Sequence, residues 1–345
     1  MKRLPRLSTI LWCALAALLL WPLFSWAIVH AVWIPDIDAC RAARGVGACW
    51  GVITEKHRML LFGRYPYAEQ WRPLAATVLI LLVLGGASWR RLWQPRLALG
   101  GLLVLGLAVL LMRGGLAGLS TVNTKEWGGL PLTLLISLGS TLLAFPFAIL
   151  LALGRRSPLP LLRSLSTSYI ELVRGVPLIS LLFMAAFLFP LLLPAQLRID
   201  ILPRVVLTIA AFAAAYLAEV IRGGLQAVPA GQAIAAKALG MRYSQITLFI
   251  VLPQALRTAL PALVNSFVGI FKDSSLISIV SLHELTGALA ISLGGDADWR
   301  SFYLEGYLFI ALIYWAFCFT LSQVSRHFEA RLAHSRQKPQ PEAAG

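Results

Sequence analysis

The chain has 345 residues, of which 59% are hydrophobic and 13% are charged, and its mean hydropathy is +0.77. A soluble domain of this size could not solvate so apolar a surface, whereas long uncharged runs are typical of bilayer spans. The net charge of +15 does not indicate nucleic acid binding, because no basic stripe interleaved with aromatic residues is present. The apolar runs are continuous rather than alternating, which predicts an all-α polytopic membrane protein.

Eight apolar segments are each close to the roughly 20 residues that a helix needs to cross a bilayer. They occupy residues 8–33, 73–89, 97–112, 128–153, 176–194, 203–222, 256–283 and 305–325. The first is longer than the roughly 7–15 apolar residues of a signal peptide, which favours an uncleaved first span. The sequence therefore predicts about eight transmembrane helices.

Basic residues concentrate in alternate connections between these segments, as at Arg90 and Arg91, and at both ends of the chain. By the positive-inside rule those connections and both termini lie in the cytoplasm. We expect an N-terminal extension of about three spans, a core of about five spans and a disordered tail, at residues 1–127, 128–330 and 331–345.

The first connection on the opposite side is long, about residues 34–72, and contains Cys40 and Cys49. In this orientation it faces an oxidising compartment, where a disulfide between the two can form. Such a bond would contribute roughly 2–3 kcal/mol on the chain-entropy model. Two free thiols are the alternative. Cys13 and Cys318 fall in apolar segments, and we expect them to be inert packing residues.

Two acid–base pairs with the same spacing flank the fifth and sixth segments: Glu171 with Arg174, and Glu219 with Arg222. Residues three apart on a helix can form an ion pair. Pro177 breaks the helix after the first pair, which favours a bend near a cytoplasmic gate. For the first pair a gating role and a structural role both remain open, and for the second a structural role is favoured.

Residues 229–253 form a short basic stretch, PAGQAIAAKALGMRYSQITLFIVLP, between two apolar segments. Pro229 suits the first turn of a helix and Gly240 suits its end, which predicts a rod about 16 Å long that cannot cross a bilayer. Its alanines make the rod thin enough to enter a groove on another protein. The alternative is a helix that lies on the lipid headgroups. Ser244 is expected to cap the following helix.

The seventh segment carries Lys272 and Asp273 about fifteen residues from its start, roughly 20 Å into the membrane. A charge near the bilayer centre costs at least roughly 2.5–3.5 kcal/mol, so we expect both to line a cavity or to meet polar partners. Together with Asn265, Ser274 and Ser275 they predict a substrate pathway suited to a zwitterion. Lys272 would face its carboxylate and Asp273 its ammonium group. A polar cluster that only fixes helix packing is the alternative.

Residues 128–330 resemble the permeases of ABC importers, in the histidine-permease-like subfamily for polar and general L-amino acids. The similar motifs are TLLISLGSTLLAFPFAILLALGRRSPLP, SYIELVRGVPLISLLFM, AAYLAEVIRGGLQAVPAGQ, GQAIAAKALGMRYSQITLFIVLPQAL, PALVNSFVGIFKDSSL and EGYLFIALIYWAFCFTLS. The first long loop, with CRAARGVGACWGVITEKHR, resembles longer members that carry extra N-terminal spans. The resemblance implies a type I ABC importer permease core in the C-terminal half.

The resemblance also implies that residues 229–253 are the EAA loop, which docks on an ATPase subunit. The coupling positions it implies are Gly231, Gln232, Ile234, Ala235, Ala236, Lys237, Gly240 and Pro253. Family members usually carry Glu at the position of Ile234, and that carboxylate helps to lock the loop into the ATPase groove. Ile cannot form a charge-assisted hydrogen bond, roughly 1.5–3 kcal/mol, so either apolar packing replaces it or coupling is weaker.

The chain has no G-x-x-x-x-G-K-[ST] phosphate loop, no metal-ligand spacing and no catalytic cluster, so ATP and Mg²⁺ are expected on a partner rather than on this chain. The resemblance implies a bacterial inner-membrane subunit that imports amino acids by alternating access. Its implied partners are two ATPase copies, a second permease subunit in a heterodimer and a periplasmic amino-acid-binding protein. The alternative, a secondary transporter driven by an ion gradient, predicts inverted repeats, which the sequence does not show.

Overall fold

A computed structural model describes residues 12, 15, 18, 20–87, 95–116, 118–192, 194 and 199–336, and the statements below concern those residues. Most of the N-terminal segment that was predicted to be an uncleaved span, including Cys13, lies outside them. So do residues 88–94, at the first basic connection, and residues 337–345 of the expected tail.

The described residues are almost entirely helical. In chain order the helices are α1 (Leu20–Val29), α2 (Ile37–Ala42), α3 (Gly51–Phe62), α4 (Trp71–Ala87), α5 (Pro95–Arg113), α6 (Gly129–Arg155), α7 (Pro160–Gly175), α8 (Leu178–Leu192), α9 (Ile201–Gln226), α10 (Ala230–Ala238), α11 (Tyr243–Val280), α12 (Leu285–Gly294) and α13 (Tyr303–Arg336). The short strand His283–Glu284 forms bridges to Gly128 and Gly129, which places the start of α12 beside the start of α6.

Within the described residues, five helices are long and apolar enough to cross a membrane: Tyr67–Gly86, Gly129–Arg155, Ile201–Gln226, Tyr243–Val280 and Arg300–Arg326. Helices α7 and α8, which are bent by 98° at a short break, make a sixth if they are one span. Shorter apolar helices, α1 and the Leu99–Arg113 part of α5, occupy the first and third predicted segments. The prediction of an all-α polytopic protein is therefore confirmed, and each of the eight segments contains a helix.

Three features differ from the expected arrangement. Helix α7 begins at Pro160, well before the pair of Glu171 and Arg174 at which the sequence placed a helix, and its amphipathic surface buries Ile170 and Val173. Helix α12 is an apolar helix of ten residues between the last two predicted spans. Helix α13 continues to Arg336, beyond residue 330, where the disordered tail was expected to begin.

Helices α6 and α9 form the centre of the bundle and pack along each other. Small residues of α9 such as Ala213 and Ala214 are buried in this contact. Gly224 lets α9 approach α11, because a Cβ there would lie 2.4 Å from the carbonyl oxygen of Ala255. In a lipid bilayer the hydrophobic effect does not drive helices together, so their association depends on close van der Waals packing, which small residues allow. The core thus depends on backbone proximity between α6, α9 and α11.

Glu284 is fully buried where α12 begins, and its carboxylate accepts hydrogen bonds from the backbone N–H groups of Thr286 and Gly287 at 2.9 and 3.0 Å. The Tyr314 hydroxyl of α13 donates to its second oxygen at 2.9 Å. Burial raises the pKa of this carboxyl above its usual range. These bonds supply the helix cap of α12 and join it to α13.

Residues 30–66 form an outer cap, which packs on α12, on the start of α13 and on the loop 295–302 between them. The cap holds a disulfide between Cys40 and Cys49, whose Cα atoms are 5.3 Å apart. Of the two alternatives that the sequence left open, the structure therefore has the bonded one. Both cysteines are fully buried in an apolar cluster with residues of α12 and α13.

Two ion pairs attach the outer cap to the loop 295–302. Lys56 Nζ lies 2.7 Å from Asp296 Oδ2, and Arg41 Nη2 lies 2.5 Å from Asp298 Oδ1. The first pair is mostly buried, with side chains 19% and 32% exposed, whereas the second is 53% and 61% exposed. The N-terminal extension is therefore fixed to the core by apolar and ionic contacts together, and the disulfide strengthens the cap that makes them.

Arg72, which is fully buried, joins the start of α4 to the end of α5. Its guanidinium donates to the carbonyl oxygens of Leu111 at 2.8 Å and of Ser120 at 2.9 Å, and it pairs with Glu69. A buried arginine is stable only when its donors are satisfied in this way. The start of α4 is thus held against the end of α5 and the residues that follow it, on the same side as the outer cap.

Candidate coupling surface and substrate pathway

Helix α10 is a nine-residue rod, about 14 Å long, between the ends of α9 and α11. Pro229 precedes it in an extended conformation, and Gly240 follows it with φ of +80°, a value that favours glycine. The N–H groups of Leu239 and Gly240 donate to the carbonyl oxygens of Ala235 and Lys237, which closes the last turn. The predicted start and end of the rod are both confirmed.

Only one side of α10 is covered. Ala236 is 5% exposed, because it packs where α10 contacts the Ile246–Val251 turn of α11. Ile234 is 67% exposed, and Leu239, just past the helix, is 84% exposed. The other expected coupling positions that are open to solvent are Gly231, Gln232, Ala235, Lys237 and Gly240. This surface, the coupling surface, presents uncovered apolar side chains beside one lysine.

Helix α11 begins at Tyr243, and the residue before it is Arg242, whose N–H donates to Gln245 Oε1 at 2.8 Å. Ser244 lies inside the first turn and is exposed, so its prediction as the cap is wrong. The helix begins two residues earlier than expected, and the side-chain oxygen of Gln245 accepts the hydrogen bond from the free N–H of Arg242. Pro253 is exposed and follows the π-helical turn Ile246–Val251, which accommodates the missing N–H.

Arg155 at the end of α6 bridges two carboxylates on different helices. Its Nη2 lies 2.8 Å from Glu171 Oε1 of α7, and its Nη1 lies 2.6 Å from Glu219 Oε1 of α9. Glu219 also pairs with Arg222 at 2.8 Å, as the spacing predicted. We call these four residues the Arg155 network. It joins α6, α7 and α9 a few residues before α10.

The predicted pair of Glu171 with Arg174 is not formed. Glu171 forms its ion pair with Arg155 instead. The Arg174 guanidinium lies 5.4 Å from the ring centroid of Tyr216 on α9. A guanidinium over an aromatic face is a favourable contact that needs no carboxylate. Arg174 and Glu171 therefore both hold α7 against the bundle, through different partners. The expected helix break at Pro177 is present, at the 98° bend between α7 and α8.

The predicted pathway residues lie where the α-helical part of α11, Leu252–Asp273, gives way to the 3-10 turn Ser274–Val280. Asn265 and Lys272 are exposed, and Asp273 is half-buried. Among the described residues, Lys272 and Asp273 form no ion pair with each other, which agrees with their divergence on the helix. Ser275 is half-buried as well, so four of the five residues are at least partly exposed and Ser274 is fully buried.

The two serines contribute less polarity than expected. The Ser274 hydroxyl donates to the Phe271 carbonyl oxygen at 2.7 Å and is fully buried. The Ser275 hydroxyl donates to the Lys272 carbonyl oxygen at 2.8 Å. Hydroxyl groups that bond back to their own helix are common and adjust its end. They are therefore placed to shape the 3-10 turn.

Asp273 borders a cavity of about 270 Å³ between α8, α9 and α11. The polar side chains in its lining are Asp273, Ser266 and Tyr216, and the rest of the wall is apolar. Lys272 does not line this cavity. The structure thus places the acidic residue against a cavity between three helices and the basic one on an exposed face of α11. No group of three His, Cys, Asp or Glu side chains within the described ranges could hold a metal ion.

Sequence reasoning missed Arg155 and Tyr216. Arg155 is one of two adjacent arginines at the end of an apolar run, and such residues normally indicate topology alone. Tyr216 lies in an apolar segment, where an aromatic residue is most simply core packing. Only the approach of α6, α7 and α9 reveals their contacts.

Comparison with known families matches residues 144–334 to the model described as the binding-protein-dependent transport system inner membrane component. This range includes the Arg155 network, the coupling surface and all five pathway residues. It covers more than half of the chain.

Related proteins extend the similarity to the N-terminal extension. The chain is 41% identical to the inner membrane amino-acid ABC transporter permease protein YhdY of Escherichia coli (strain K12), over 91% of this chain and 86% of that protein. It is 34% identical to the glutamate/glutamine/aspartate/asparagine transport system permease protein BztC of Rhodobacter capsulatus, over 88% and 85%. A solved structure of an amino acid ABC transporter with histidines shares 32% identity with a TM-score of 0.53, and covers 59% of this chain and 92% of its own.

Proposed function

The chain belongs to the family of binding-protein-dependent transport system inner membrane components, and we propose that it is the permease subunit of an ATP-driven importer of polar or general L-amino acids. It is a multi-pass membrane protein and a transport component, not an enzyme. The observation that carries the proposal is the coupling surface, since apolar side chains exposed on a short helix outside the spans need a protein partner.

In this proposal the partner is an ATPase, present in two copies, which binds ATP and Mg²⁺. Closure of the ATPase pair moves α10, and the buried Ala236 passes the movement to the first turns of α11. Helix α11 carries Lys272 and Asp273, so nucleotide binding on one side of the membrane alters the pathway within it. The ATPase drives alternating access because it contacts the outward and inward states differently.

The remaining partners follow from the same proposal. One chain supplies one coupling helix, so a second permease subunit, in a heterodimer, supplies the other. A periplasmic binding protein delivers the amino acid to the side of the outer cap. Both termini lie in the cytoplasm of a bacterial cell, on the same side of the inner membrane as α10.

The proposed substrate class rests on the charges of α11. Asp273 borders the cavity between α8, α9 and α11 and would face the ammonium group of a passing amino acid, while Lys272, which is exposed, would face its carboxylate. Asn265 lies two turns before Lys272 and would add a neutral polar contact. Relatives named for amino acids support this class.

Co-purification tests the proposal directly. The full-length chain, expressed with an ATPase encoded beside it, should retain that ATPase in detergent, and deletion of residues 231–242 should abolish retention. Arg156→Ala, an exposed position outside α10, serves as the control and should retain it. Vesicles that contain this chain alone and accumulate amino acid on a proton or sodium gradient, without nucleotide, would instead establish the secondary-transporter alternative.

A further inference from the structure

A groove of about 600 Å³ separates the N-terminal extension from the core on the side of the membrane away from α10. One wall is the second half of α5, and the other is formed by the first turns of α6 and α9. The loop 121–127 closes its outer end. We call it the extension groove. None of the five predicted pathway residues lines it.

The extension groove is amphiphilic along its length. Its inner part is lined by apolar residues of three helices: Leu105, Val109, Leu135, Ile136 and Val206. Its outer rim carries polar side chains: Arg113, Thr121, Asn123, Thr124 and Asp200. Gly139, at the inner end, lies ten residues after the start of α6, which corresponds to a depth of about 15 Å. That is half of the roughly 30 Å hydrocarbon core, so the groove spans one leaflet.

Two hydrogen-bond donors at the rim have no acceptor among the described residues. Trp127 is only 3% exposed, yet its indole Nε1–H makes no hydrogen bond. The Arg113 guanidinium, in contrast to buried Arg72 nearby, forms no hydrogen bond or ion pair with any residue that the structure describes. Buried donors are normally paired, so the unpaired indole N–H indicates a place for an acceptor at the rim, and the exposed Arg113 guanidinium favours an acceptor that carries negative charge.

The rim also carries an acidic group. Asp200 accepts a weak hydrogen bond from the Thr124 hydroxyl at 3.4 Å and is exposed. A ligand for this rim therefore needs a negative group for Arg113 and Trp127 and also a positive group for Asp200. The inner part needs an apolar chain about as long as one leaflet is thick.

We propose that the extension groove binds one phospholipid with a zwitterionic, primary-ammonium headgroup. The lipid phosphate pairs with Arg113, an ester or phosphate oxygen accepts from Trp127 Nε1–H, and the ammonium group faces Asp200. One acyl chain lies against the apolar walls of α5, α6 and α9. The lipid thereby occupies the extension groove between the N-terminal extension and the core. Its binding does not depend on the substrate that the permease carries.

The groove offers a way to block it without disturbing the fold. Gly139 lines its floor, and a Cβ added there would meet only Val206 Cγ1, at 4.0 Å. Gly139→Leu should therefore project into the space of the acyl chain. Trp127→Phe removes the indole donor and keeps an aromatic ring, and Arg113→Ala removes the cation. Asp200→Asn removes the partner of the ammonium group alone.

The test uses the full-length chain in nanodiscs of phosphatidylethanolamine and phosphatidylglycerol, followed by native mass spectrometry of the released protein. We expect one retained phosphatidylethanolamine per chain. Arg113→Ala and Gly139→Leu should lower the retained fraction at least about fivefold, and Trp127→Phe by a smaller factor. Asp200→Asn should shift retention towards phosphatidylglycerol. Arg44→Ala, an exposed cation on the same side and outside the groove, should change nothing.

Variants are compared only when their size-exclusion elution volume and melting temperature match those of the parent. If Arg113→Ala fails to fold, Trp127→Phe and Gly139→Leu provide two independent tests. Equal retention in the parent, Trp127→Phe and Gly139→Leu would overturn the proposal. So would an equal loss in Arg44→Ala, or release of a free amino acid in place of phospholipid.

Discussion

Among single residues, Asp273 is the charged pathway side chain that borders the 270 Å³ cavity between α8, α9 and α11. If it faces the substrate ammonium group, Asp273→Asn removes the attracting charge and keeps the shape. We expect ATP-driven uptake to fall at least about tenfold, which corresponds to roughly 1.4 kcal/mol. Uptake of labelled amino acid by the reconstituted complex measures it, with Asp298→Asn in the loop 295–302 as the control. Full uptake with Asn at 273 would remove this residue from the pathway.

Ile234 is the residue at which the resemblance predicts a departure from the family pattern, and its side chain is exposed on the coupling surface. Ile234→Glu should supply a charge-assisted hydrogen bond to the ATPase, worth roughly 1.5–3 kcal/mol, and so tighten binding about tenfold or more. Titration of the purified ATPase onto the reconstituted permease measures the dissociation constant.

Gln232→Glu is the matched control for Ile234→Glu. It adds the same charge to the same helix on a different face, because positions two apart on a helix diverge by about 200°. Equal tightening in both variants would indicate general electrostatic attraction. Unchanged or weaker binding with Ile234→Glu would show that apolar packing at this position is what the ATPase groove accepts.

At the scale of the helices, the Arg155 network determines how α7 rests on α6 and α9. Arg155→Met keeps much of the side-chain volume but leaves Glu171 without its partner and Glu219 with Arg222 alone. Glu219 is 18% exposed and Glu171 is 57% exposed, so we expect a loss of about 1–2 kcal/mol rather than the 3–5 of a fully buried pair. Thermal unfolding in detergent measures this loss.

Arg156→Ala is the matched control for Arg155→Met, because this neighbouring arginine is exposed and lies outside the network. Its substitution should leave the melting temperature nearly unchanged. If both arginines had equal effects, α6 would need only positive charge at its end and the network would not be structural.

The same helices show what the sequence could and could not reveal. Long apolar runs and the Pro229 and Gly240 signals are local, so the spans and the rod α10 were predictable with nearly correct bounds. Arg155 and Arg156 are adjacent residues of the same type, so the sequence does not distinguish them. Only the packing of α7 and α9 on α6 determines that Arg155 is the one that pairs with Glu171 and Glu219. Ser274 was predicted to line the pathway, but its hydroxyl donates to the backbone carbonyl oxygen of Phe271. The spacing of residues in the sequence cannot predict that choice of hydrogen-bond partner.

For the whole molecule, the outer cap is the main attachment of the N-terminal extension to the core. Replacing Cys40 and Cys49 together by Ser should lower the stability of the cap by roughly 2–3 kcal/mol. Because the cap contacts α12 and α13 more than the centre of the bundle, the loss should be local. Amide hydrogen exchange should speed up in α2 and α3 and stay unchanged in α6 and α9. Cys318→Ser, a free cysteine, is the control. Unchanged exchange in α2 and α3 would contradict a structural role.

The ionic attachment of the cap makes its stability depend on pH. The hydrogen bond from Lys56 holds the pKa of Asp296 below its ordinary value of 3.8. A carboxyl whose pKa is lowered by folding stabilises fully above its unfolded pKa, and this contribution disappears as the pH falls through the folded pKa. Asp296→Asn should therefore lower the stability of the cap by about 0.5–1 kcal/mol at pH 7.

The difference between the parent and Asp296→Asn should begin to shrink below about pH 4 and vanish at still lower pH, since the parent then carries a neutral group as well. Hydrogen exchange of α3 across this range measures it. Asp298→Asn breaks a pair whose side chains are more than half exposed, so its effect at pH 7 should be smaller. A difference for Asp296→Asn that stays constant down to the lowest pH would mean that packing of the loop 295–302, and not the charge, holds the extension to the core.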